Sequence, residues 1–143
     1  MLQYLASRDF SVGISSLAVG ADQLFAKVVV EMQKRLEVVI PCDGYEATFT
    51  NADALSTYRA LLRAAAKTHT LPFSKPSEEA FYGAGRLVVE LSDSMVLVWD
   101  GKPAVGRGGT GDIARYLAER GQSCFWINPK NTTTTEVELR LRQ

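Results

Sequence analysis

The segment WDGKPAVGRGGTGDIARY, residues 99–116, gathers Gly101, Gly106, Gly108, Gly109 and Gly111 around Arg107, between an apolar run and a helical pattern. Glycine costs conformational entropy on folding and is favoured where the chain turns at positive φ or where another molecule must reach the backbone. A helix start offers N–H groups without intrahelical partners and the positive end of a dipole, so such an entry suits a phosphate. Arg107 adds a forked, permanently charged donor. The alternative is a tight strand-to-helix turn with no ligand. GRGGTG is neither a P-loop, which needs a lysine after its last glycine, nor a clean dinucleotide fingerprint. A second loop, SSLAVGAD at 15–22, has the same form. Ser15 and Ser16 offer hydroxyls, Gly20 and Ala21 allow close approach, and Asp22 stands in the first turn of a helix. Ligands of open α/β sheets sit beyond the carboxyl ends of the strands. Both loops are therefore expected at one ligand, with Ser15, Ser16, Gly20, Ala21, Asp22, Trp99, Asp100, Gly106, Arg107, Gly108, Gly109 and Thr110 as its binding residues.

Cleavage of an N-glycosidic bond there would require a carboxylate near the ribose, to stabilise positive charge or activate water. Asp22, Glu79, Asp100 and Asp112 are the acidic residues in reach of the two loops, and Glu79 and Asp112 are the catalytic candidates. Each also has a purely structural reading. Asp22, Glu78 and Glu79 are favourable first-turn charges, Asp100-Gly101 is a common turn pair, and Tyr82 and Trp99 pack in a core as readily as they stack on a base. Cys42, Cys124 and the single histidine, His69, show no zinc or disulfide spacing. No metal and no cofactor are expected, and Cys42 and His69 have no partner readable from sequence.

At 143 residues the chain is the size of one domain with a real core. Sixteen basic and sixteen acidic side chains cancel, which argues against bulk nucleic acid or an anionic membrane as partner. There is neither a secretory leader nor an apolar run of about eighteen residues. A reducing cytoplasm fits the cysteine usage.

The elements that must position these residues alternate. Residues 2–8 read as helix, 10–15 as a short strand, and 21–34 as an amphipathic helix with Leu24, Phe25, Val28, Val29 and Met32 inward. A strand follows at 36–41. Asn51 is expected to cap a helix over 52–66 with Leu55, Tyr58 and Leu62 inward, and 68–73 reads as a brief strand. A helix opens at Pro76 or Ser77 and runs to Leu91. SMVLVW, 94–99, reads as a strand buried on both faces. The helix 110–120 stops at Gly121, and 123–128 is a strand. The alternation predicts a three-layer, Rossmann-like α/β domain over 1–129 with a mostly parallel sheet. Such domains usually begin with a strand, so the usual first strand is expected to be absent. Residues 130–143 read as an edge strand or a flexible tail.

The two loops together resemble the SLOG superfamily, which joins DNA-processing protein A to the Lonely Guy phosphoribohydrolases. SSLAVGAD is similar to the SGxAxGxD loop of the DNA-processing branch at Ser16, Ala18, Gly20 and Asp22. GGTGD resembles the GGxGTxxE phosphate loop of the hydrolases at Gly109 and Thr110, and the likeness spans Phe10 to Pro129. That alignment puts Ile113 where the hydrolases carry their catalytic glutamate, with Asp112 one residue earlier. SEEAFYGAG, which contains Glu79, is similar to a segment of related modules. The resemblance implies binding of a nucleotide-derived small molecule and a homodimer. Three functions follow: a sensor or regulatory module for a phosphorylated nucleoside or ADP-ribose-like ligand; a nucleotide N-glycosidase of the phosphoribohydrolase type; and single-stranded DNA binding, against which the charge balance speaks.

Overall fold

The computed structural model of the chain describes residues 1–103, 107–130 and 134–138, with 135–138 described by backbone alone. The fold is α/β and Rossmann-like, and it packs as two compact units, Met1–Pro76 and Ser77–Gln143. Among the described residues no helix is long and apolar enough to cross a membrane.

The first unit holds α1 (Leu2–Ser7), β1 (Val12–Ser15), α2 (Ala21–Glu31), β2 (Arg35–Ile40), a 3-10 turn (Tyr45–Thr48), α3 (Ala52–Ala64) and β3 (Lys67–Thr70). Its strands form a parallel sheet in the order β1-β2-β3, with Gly13 opposite Leu36 and Val38 opposite Thr68. Leu36, Val38 and Val39 of the central strand are fully buried. Helix α2 lies directly on β1, because a β-carbon on Gly13 would stand 2.5 Å from a methyl of Val29. The Asn51 carboxamide caps α3 as its sequence suggests, accepting from the N–H groups of Asp53 and Ala54.

Two inward seams differ from the sequence expectation. In α2 Leu24 is 54% exposed, while Gln23 and Ala26 are buried. Gln23 goes inside because its amide donates to the carbonyl oxygens of Leu17 and Ala54, so a polar side chain takes the seam that hydropathy gave to leucine. In α3 Leu61 rather than Leu62 is the buried partner of Tyr58, the i+3 neighbour winning over i+4. His69, which looked incidental, also has a partner: parallel register places it two residues along from the position opposite Glu37, and its Nε2 lies 2.8 Å from the Glu37 carboxylate.

The second unit holds α4 (Glu78–Leu91), β4 (Met95–Val98), α5 (Thr110–Glu119), β5 (Ser123–Ile127) and β6 (Thr134–Glu138). Strand β4 pairs with β5 in parallel, and β5 with β6 antiparallel, so β6 is an edge strand. Leu139 and Leu141 lie outside the described residues. Only Leu97 of β4 is fully buried, and its neighbours Met95, Val96 and Val98 are half-buried, so this strand is not sealed on both faces. The core of the unit is Val89, Leu97, Ile113, Ala114, Leu117 and Cys124.

Two outcomes follow for the first unit. Gly13→Ala should destabilise the fold by about 1–3 kcal/mol through overpacking, measured as a fall in the urea midpoint at unchanged slope. The Glu37 carboxyl is held below its ordinary value, first by the hydrogen bond to His69 and further by Arg35. Its stabilising contribution is therefore complete above the ordinary value of 4.5 and is lost as pH falls through the lower folded value. Urea midpoints of wild type and Glu37→Gln should differ at pH 6 and converge toward pH 3. A gap that widens with acidification would contradict this.

Candidate functional site

The two loops singled out by sequence belong to different units, and each is built by its own neighbours. In the first, the chain leaves β1 at Ser15, whose buried hydroxyl donates to the Asp22 carbonyl and accepts from the Leu17 N–H. Leu17 is fully buried at φ +59°, a left-handed conformation that costs a branched residue about 1–2 kcal/mol. Its carbonyl is held by Gln23, and the Ser16 carbonyl accepts from the Tyr45 hydroxyl at 3.0 Å. Gly20 caps α2 at φ +99°, where only glycine is unstrained, while Ala21 opens the helix. The half-buried Asp22 carboxylate accepts from the Ala18 N–H, and its pKa is raised by burial against the lowering effect of that bond. Tyr45, Phe49 and Tyr58 brace this loop as an aromatic cluster, with ring centroids 4.8 to 5.6 Å apart.

In the second unit the chain leaves β4 through Trp99 and Asp100. The Trp99 indole N–H donates to the Lys102 carbonyl, the Trp126 indole N–H donates to the Trp99 carbonyl, and the rings lie 5.3 Å apart. Trp99 packs on the core of the unit. The Asp100 carboxylate accepts from the Lys102 N–H, closing a turn of the kind that Asp-Gly favours, and pairs with Lys130 at 3.8 Å. Gly106 lies outside the described residues.

Gly108 has φ +97°, and a β-carbon there would stand 2.9 Å from the Glu78 carbonyl oxygen and 3.0 Å from the Tyr82 nitrogen. The turn before α5 is thus pressed against the first turn of α4. Near their other ends the Tyr116 hydroxyl of α5 donates to the Glu90 carboxylate of α4 at 2.8 Å. The two helices therefore run side by side in the same direction, with their positive ends together at Gly108. Ser77 caps α4 on the Ala80 N–H, so that helix opens one residue after the cap and not at Pro76. Gly109 caps α5, its carbonyl accepting from the Asp112 and Ile113 N–H groups. Among the described residues the Thr110 and Gly111 amides have no hydrogen-bond partner, as expected for the first donors of a helix.

Charges surround this junction. The Asp112 carboxylate accepts from the Gly108 N–H at 2.8 Å. Exposed Arg107 lies 4.9 Å from the centroid of Tyr82 and donates to the Glu79 carboxylate at 3.2 Å. The structure therefore gathers Glu79, Arg107, Gly108, Gly109, Thr110 and Asp112 in one place. Ile113 is a core residue against which Gly85 of α4 sits without room for a β-carbon. Sequence reasoning missed Gln23 and Tyr45, which carry no motif, and Arg86, whose spacing of four from both Tyr82 and Glu90 was legible. Among the described residues no group of three His, Cys, Asp or Glu side chains is arranged to hold a metal ion.

No protein-family model and no curated protein matches the chain.

Gly108→Ala forces both a strained φ and an overlap with the backbone of α4, neither of which a rotamer change relieves. It should destabilise the protein by about 2–4 kcal/mol. Amide exchange should accelerate over 78–82 and 108–113 more than in the first unit, and uniform acceleration would contradict this account.

Proposed function

We propose that this chain binds a phosphorylated nucleoside or an ADP-ribose-like ligand as a sensor or regulatory module, with a phosphate seated at the Gly108–Gly111 turn. The observation that carries the reading is the convergence of two helix N-termini on Gly108 beside an exposed arginine. Orphan amides, two aligned dipoles and a guanidinium fork are the donors a phosphate needs. Arg107 is steadied by the Tyr82 ring, and its partner Glu79 is an exposed carboxylate. Exposed pairs of that kind contribute only about 0–1 kcal/mol, so an incoming phosphate can replace Glu79 at modest cost. Binding without turnover is favoured because apolar, buried Ile113 stands at the residue aligned with the hydrolase glutamate.

A thermal-shift series with AMP, NAD and ADP-ribose, followed by chromatography of each ligand after long incubation, tests this. Saturable stabilisation with intact ligand is expected. A released base or ribose phosphate would make the protein an enzyme, and no shift with any phosphorylated ligand would overturn the proposal. Arg107→Ala should weaken a phosphorylated ligand roughly tenfold or more while leaving the free nucleoside unchanged, as loss of a charged hydrogen bond requires. Glu79→Gln should tighten it by about twofold to fivefold, since a competing carboxylate is removed. Weaker binding in the glutamine variant would assign Glu79 to the ligand instead.

A further inference from the structure

We draw no further inference here: the strongest candidate, the apolar edge of the second unit's sheet at β4 (Met95–Val98), pairs only with β5 among the described residues, and nothing in the structure shows what covers its other side.

Discussion

The absence of a β-carbon at residue 108 lets the turn before α5 touch the backbone of α4, and the geometry of the second unit depends on that contact. It brings two helix starts together, so α4 and α5 lie parallel, in contact at Gly85 against Ile113 and at Glu90 against Tyr116. Parallel helices juxtapose like ends of their dipoles, and the sequence answers with acidic residues in both first turns, Glu78 and Glu79 on one and Asp112 on the other. Arg107 then stands among carboxylates and over an aromatic ring, a cation whose partners are few and exposed.

The two units solve the same local problem in the same way. Asp22 reaches back four residues to the Ala18 N–H, and Asp112 reaches back four residues to the Gly108 N–H. In each case a carboxylate from the first turn satisfies a backbone donor in the loop that precedes its helix, which fixes the loop. Their settings differ. The first loop is closed by buried groups, Ser15, Gln23 and Tyr45, that hold its carbonyls and hydroxyls inward. The second leaves Arg107 and Thr110 exposed. A preformed loop with its donors already engaged needs little reorganisation, while one with exposed donors can still gain bonds.

The order and type of the elements were legible because the signals were local. Apolar spacing marked α2, Asn51 announced the cap of α3, proline and two glutamates marked the start of α4 to within two residues, and the run from Met95 to Val98 could be little but a strand. Longer-range pairings were not legible. Gln23 reads as a surface residue until α3 brings the Ala54 carbonyl to it, and His69 acquires Glu37 only through strand register. The glycine turn was found by composition, but the reason Gly108 in particular must be glycine is a contact with residues about thirty positions earlier, which no pattern within the segment could reveal. The Tyr82–Arg86–Glu90 spacing was visible all along; its meaning depended on which helix would lie alongside.

Both tryptophans of the chain, Trp99 and Trp126, lie in the second unit, one just after β4 and one in β5, with their rings 5.3 Å apart. The first unit has tyrosines and phenylalanines but no indole. Intrinsic tryptophan emission is therefore a spectroscopic window on one half of the molecule, and far-ultraviolet dichroism sees both. If the halves melt as one cooperative system, the two signals trace a single transition. If they melt separately, the optical probes part company, and the difference between them is the independent stability of each half.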